Sequence, residues 1–201
     1  MNIRKGFLIA AVIWISACFV GAVPFLISGT FNNFTDAFFE AASGFTTTGA
    51  SVIDDLETVP GIILFWRSLT HWLGGMGIVV FFAAILPGWG LKGQIAAYAE
   101  TPGPSKGKLT SRFADTARNL YLIYLGFTAA ESVLLRISGM NWFDSVTAAF
   151  STMATGGFAN YNDNAAGFPV FSKLIIILFM YLAGINFNLF YRVKRYGFKV
   201  L

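Results

Sequence analysis

The apolar positions of this chain fall in long unbroken runs, with neither the alternation of a half-buried strand nor the narrow stripe of an ordinary amphipathic helix. Gly6 to Ile27 carries no charge and follows Arg4 and Lys5. Ile62 to Leu86 is interrupted by Arg67 and His71, Leu120 to Leu135 carries Glu131, and Phe171 to Phe190 has Lys173 near its start. About 20 residues rising roughly 1.5 Å each cross a hydrocarbon layer of roughly 30 Å, so the pattern predicts four membrane helices. A cleavable signal peptide competes for the first run. That run is longer than an apolar core of about 7 to 15 residues, and Ala22-Val23-Pro24 is a poor cleavage site, so the span is preferred.

Two segments between the spans are too long and too apolar for plain loops: Phe31 to Pro60 and Gly139 to Gly167. Each opens with an apolar stretch too short to cross a bilayer, Phe34 to Ser43 and Trp142 to Ser151. The prediction is a half-helix that enters the membrane and turns back. Asp36 and Asp144 fall in the first turns, where a carboxylate suits the positive helix end. The opposite, partially negative end then points toward the membrane centre and favours a cation. Beyond each half-helix the residues become small and hydroxylated: Gly44-Phe-Thr-Thr-Thr-Gly-Ala-Ser51 and Thr152-Met-Ala-Thr-Gly-Gly-Phe158. Extended backbone at membrane depth needs protein or a water path around it, and rings of its carbonyls can replace the hydration shell of an alkali cation. Glycine permits the dihedrals that such a turn needs.

The two segments align without gaps at an offset of 108, which pairs Asp36 with Asp144, Ala41 with Ala149, Ser43 with Ser151, Thr47 with Thr155 and Gly49 with Gly157. Ile27-Ser-Gly29 recurs as Ile137-Ser-Gly139, and Pro60, Leu73 and Gly75 recur as Pro169, Leu182 and Gly184. A repeat of helix, re-entrant loop and helix accounts for this. Each unit starts and ends on one side, so the repeats are parallel, about an axis along the membrane normal. The expected fold is thus an all-α integral membrane protein: unit one at 1–87, a linker at 88–118, unit two at 119–201.

Composition agrees. Of 201 residues, 56% are hydrophobic and 12% charged, with a mean hydropathy of +0.64, against about 25% charged in soluble domains. That balance argues against a soluble enzyme, and the single Cys18 excludes an intrachain disulfide and a cysteine-rich metal site. Charge placement sets direction. With the N-terminus inside, segments 1–6, 87–118 and 191–201 hold 11 of the 14 basic residues, whereas Asp36, Glu40, Asp54, Asp55, Glu57, Asp144 and Asp163 lie outside. Both termini are expected on the cytoplasmic face. The linker run Glu100-Thr-Pro-Gly-Pro-Ser-Lys-Gly-Lys108 reads as a hinge.

In these features the chain resembles the Trk, Ktr and HKT superfamily of potassium transporters, most closely the bacterial Trk-type uptake subunit. The carriers are Phe34-Thr-Asp-Ala-Phe-Phe-Glu40, Ser43-Gly-Phe-Thr-Thr-Thr-Gly49, Trp72-Leu-Gly-Gly-Met-Gly-Ile78, Ala99-Glu-Thr-Pro-Gly-Pro104 and Phe150-Ser-Thr-Met-Ala-Thr-Gly-Gly-Phe158. The resemblance implies potassium transport in the cell inner membrane, with no covalent cofactor and potassium as substrate. It implies filter positions at Thr46, Thr47, Thr48 and Gly49 and at Ala154, Thr155, Gly156 and Gly157, with potassium at Thr47, Thr48, Thr155 and Gly156. The family builds its pore from four units and this sequence holds two, so half of a longer protein, or a homo-oligomer, is expected. A non-conducting fragment or assembly scaffold is the alternative. A cytoplasmic regulatory subunit with nucleotide-binding domains is implied as a partner; nucleic acid is not.

Other residues admit plainer readings. Arg67 and His71 share a helix face. An intramembrane arginine must face protein or water, so Arg67 either pairs structurally, with Glu131 as a candidate, or tunes the outer vestibule. His71 is read as a hydrogen-bonded packing residue. Gly74-Gly75-Met76-Gly77 lacks the strand and lysine of a phosphate loop and is read as close helix packing. Asp54, Asp55 and Glu57 form a solvated rim, and the basic tail from Arg192 to Lys199 anchors topology beside anionic lipid. No paired carboxylates, metal-ligand cluster or nucleophile near His71 suggest an intramembrane enzyme.

Overall fold

The computed structural model describes residues 3–77, 113–185 and 187 of the chain, and all its regular elements there are helical. In order they are α1 (Ile3–Ile27), α2 (Phe34–Phe45), a 3-10 turn (Leu56–Thr58), α3 (Gly61–Gly75), α4 (Phe113–Ile137), α5 (Trp142–Met153) and α6 (Val170–Ala183). α1 and α4 have 25 residues each, and Leu8–Ile27 and Arg118–Ile137 within them are long and apolar enough to cross a membrane. α4 begins at Phe113, inside the stretch 88–118 expected as the linker. The rest of the linker and the basic tail lie outside the described residues.

Several faces reverse the usual burial pattern. Along α4 the buried line is Tyr124, Thr128, Glu131 and Leu135, at helical spacing, whereas Leu122, Leu125, Val133, Leu134 and Ile137 are exposed. α6 buries Ser172, Ile175 and Phe179 and exposes Val170, Phe171, Leu174, Ile177, Leu178 and Tyr181. Apolar side chains outside and hydroxyls inside suit an apolar surrounding solvent.

Within the spans expected over Ile62–Leu86 and Phe171–Phe190, the described helices are α3, of 15 residues, and α6, of 14, which rise about 21 to 23 Å. α3 stops because Gly74 and Gly75 are poor helix formers, and Gly77 then takes φ +71° and donates back to the Gly74 carbonyl at 2.7 Å. Residues 78–86 lie outside the described ones, as do 186 and 188–190.

Two apolar cores form. Ala22, Phe25, Phe31, Ala37, Ala41 and Ile63 join α1, α2 and α3; Trp72, Tyr124, Leu135, Met140, Met153, Ile175 and Phe179 join α4, α5 and α6. α3 supplies both Ile63 and Trp72. It therefore lies between the short helices α2 and α5 and packs on each.

Candidate functional site

Both short helices start from the same device. Asn33 accepts from the Asp36 backbone N–H at 2.8 Å and donates its amide to the Asp36 carboxylate at 2.6 Å; Asn141 and Asp144 repeat both bonds at the same lengths. Each helix ends after 12 residues, and the chain that follows bends alike in both. Thr48 N–H donates to the Ser43 carbonyl and Gly156 N–H to the Ser151 carbonyl, each at 3.0 Å. Thr47 and Thr155 have φ +54° and +53°, and Gly49 and Gly157 have φ +78° and +92°. A β-branched residue in the left-handed region is strained by roughly 1 to 3 kcal/mol, so both loops keep the same disfavoured turn at the same place.

The eight filter candidates lie in these two loops. Thr46, Thr48, Thr155 and Gly157 are exposed, Thr47, Gly49 and Gly156 half-buried, and Ala154 buried. The loops touch: a β-carbon on Gly49 would run into the Gly156 carbonyl. Thr46 and Thr48 share a hydroxyl contact of 2.7 Å.

One face of α3 backs both loops, through positions spaced four and then three or four apart. Arg67 donates from Nε to the Glu40 carboxylate at 2.6 Å and from Nη1 to the Ala159 carbonyl at 2.8 Å, and its guanidinium lies 3.5 Å from the Phe158 ring centroid. Glu40, with no exposed surface, also accepts from the Ser51 hydroxyl at 2.9 Å and the Val52 N–H at 3.0 Å. The ion pair is therefore made between α3 and α2, and it anchors the strand descending from each loop. One turn on, His71 stacks on Phe158 with centroids 3.8 Å apart, meets the Ser151 hydroxyl at Nδ1 (3.3 Å), and sits directly against Gly156. Among the described residues its Nε2 has no hydrogen-bond partner, and the Ser43 backbone also interacts with the ring. Below it Gly74 meets the Phe45 backbone and Gly75 the Ala154 backbone, the close packing expected of that glycine run.

The pairing of Arg67 with Glu131 is corrected. Glu131 lies on α4, fully buried; among the described residues neither carboxylate oxygen is within hydrogen-bond geometry of a donor, and the side chain of Thr152 on α5 is the one that interacts with it. The neighbouring donors are committed elsewhere, Tyr124 to the Trp72 carbonyl and Trp72 to Thr128. The sequence signal for Glu40 as the partner is its place within Phe38-Phe39-Glu40-Ala41-Ala42, where a carboxylate on a buried face demands a cation.

Loop two ties its descending strand differently. Asn160 donates to Thr147 at 2.7 Å and to Asp144 at 2.9 Å, and the Tyr161 hydroxyl donates to Asp144 at 2.7 Å. That bond holds the Tyr161 phenol pushed up to about 12. Asn162 joins this segment to the one after the first loop, donating to Asp55 at 2.7 Å and accepting from the Leu56 N–H at 2.9 Å.

Helical elements throughout the described residues, apolar exposed faces and two helices long enough to cross a membrane define a protein of the helical membrane class. A family model described as "TrkH: Cation transport protein" matches residues 1–198. The Trk system potassium uptake protein TrkH of Vibrio parahaemolyticus is 43% identical over 197 residues, covering 96% of this chain and 41% of that protein. TrkG of Escherichia coli K12, another Trk system potassium uptake protein, is 38% identical over 196 residues, covering 96% and 40%. The crystal structure of the potassium transporter TrkH from Vibrio parahaemolyticus superposes with a TM-score of 0.78 at 38% identity, covering 96% of this chain and 39% of that one. The chain belongs to the TrkH family of cation transport proteins, and it spans about 40% of the length of these relatives.

Proposed function

We propose that the chain takes part in potassium transport across the cell inner membrane, through a path lined by the backbone carbonyls of Thr46–Gly49 and Ala154–Gly157. The observation that carries this reading is the matched pair of loops, alike in the sign of φ at Thr47 and Thr155 and at Gly49 and Gly157, and in contact at Gly49 and Gly156. Carbonyls held by such a backbone exchange for the water of an alkali cation without covalent chemistry. The capped N-termini of α2 and α5 leave their partially negative ends at the loops, which favours the cation further.

In this reading the units at 1–87 and 119–201 are parallel repeats joined by a cytoplasmic linker, both termini are inside, and α2 and α5 are re-entrant pore helices. Two loops make half of a four-loop ring, and the exposed edge formed by Thr48, Thr155 and Gly157 is where further loops complete it. The relatives are named as parts of a potassium uptake system, which fits potassium as the cargo and a cytoplasmic nucleotide-binding subunit as a regulatory partner.

The test is rubidium uptake by the natural full-length protein in cells lacking their own potassium uptake. Saturable uptake that potassium inhibits and sodium does not is the expected result. A protein that reaches the membrane yet gives no uptake overturns the reading in favour of a non-conducting scaffold.

A further inference from the structure

Resting on that reading of the loops as a cation path, we propose that the buried Arg67–Glu40 pair is retained for its net neutrality. Glu40 cancels a positive charge that must stand behind the path to hold both loops, and each is a positioning residue of the path.

The need for Arg67 is geometric. A single side chain reaches Glu40 with Nε, the Ala159 carbonyl with Nη1 and the Phe158 ring with its face, and only a guanidinium offers these three contacts at once. Its charge is a liability in that place. It is 3% exposed and little screened by solvent, and Phe158, on which it lies, also stacks with the His71 ring beside Gly156. An uncompensated cation here repels every cation entering the path.

Glu40 removes that repulsion, and the second loop shows that this is its task. Tying a descending strand to its short helix does not demand a charge at this position: at the offset of 108, Ala148 stands where Glu40 does, and the neutral amide of Asn160 ties the strand to Thr147 and Asp144. The guanidinium touches both halves, at Glu40 in the first and at Ala159 and Phe158 in the second, and the carboxylate that meets it is Glu40 alone among these contacts. The Ser51 and Val52 donors then hold Glu40 in place against it.

Two variants of the full-length protein separate charge from scaffolding. Glu40→Gln leaves the arginine unopposed and is expected to raise KM for rubidium about tenfold with kcat within about twofold. Arg67→Met leaves the carboxylate and removes the ties to Ala159 and Phe158, so it is expected to lower KM for rubidium while kcat falls. Opposite directions are the signature, because loss of a merely structural bond moves both variants the same way. Shifts of one sign, an unchanged KM in Glu40→Gln, or failure of both variants to reach the membrane overturns the inference. Where one variant alone accumulates, its sign decides: a rise for Glu40→Gln or no rise for Arg67→Met supports it, the reverse overturns it. No uptake by the unsubstituted protein instead defeats the reading of the loops, and the inference falls with it.

Discussion

Ser43 and Ser151, one on each short helix, make the same hydrogen bond: each hydroxyl donates to the carbonyl seven residues on, to Ala50 at 2.5 Å and to Phe158 at 2.6 Å. Each bond closes its loop back on the helix that precedes it. A buried hydrogen bond of this kind contributes about 1 kcal/mol, so Ser43→Ala is expected to lower the melting temperature of the purified full-length protein. Ser151→Ala is expected to lower it further, since that hydroxyl also meets His71.

Gly49 and Gly157 share positive φ but differ in surroundings. A β-carbon at Gly49 strikes the Gly156 carbonyl, whereas one at Gly157 meets nothing within 4 Å. Alanine at Gly157 therefore carries backbone strain alone, roughly 1 to 2 kcal/mol. Alanine at Gly49 also pushes the loops apart. Rubidium uptake is expected to fall by about tenfold or more in Gly49→Ala and less in Gly157→Ala; equal effects would contradict the contact.

A glycine contrast also tests the packing of α3. Gly75→Val drives a side chain into the Ala154 backbone and is expected to abolish accumulation in the membrane. Gly126, on α4, has nothing within 4 Å of a β-carbon, so Gly126→Ala is expected to be neutral or to stabilise by roughly 0.5 to 1 kcal/mol through helix propensity. Membrane yield and melting temperature read both.

Tyr161 gives a pH dependence. Its phenol rises from 10.0 to about 12 chiefly because its hydroxyl donates to Asp144, with burial adding to the rise. The folded state favours the protonated phenol, so this stabilisation is complete below pH 10 and disappears as the pH rises through about 12. The difference in melting temperature between the protein and Tyr161→Phe is expected to be constant up to pH 10 and to shrink above it. A difference that grows with alkalinity would contradict the bond.

Much of the fold was legible because its signals are local. A run of apolar residues long enough for a bilayer needs no partner to be recognised, and α1 and α4 lie where such runs stand. The short helices were visible for the same reason: Asp36 and Asp144 suit their first turns, and the Thr and Gly residues beyond cannot continue a helix, whereas the capping roles of Asn33 and Asn141 came only from the structure. The ends of α3 and α6 were not legible, since apolar composition continues past Gly75 and Ala183 while the backbone departs from the helix. At Gly75 the departure comes with a second backbone, that of Ala154, pressed against it.

By itself, then, the sequence determined the elements, their membrane-like surface and the family to which the chain belongs, because each is written in neighbouring residues. Only the tertiary structure decided which acid meets Arg67. Glu131 and Glu40 are both buried carboxylates, and the choice between them rests on α3 lying between α2 and α5 with Glu40 within 2.6 Å of the guanidinium. Such a pairing joins residues 27 positions apart and reaches on to Ala159, 92 positions away, through packing that no local pattern encodes.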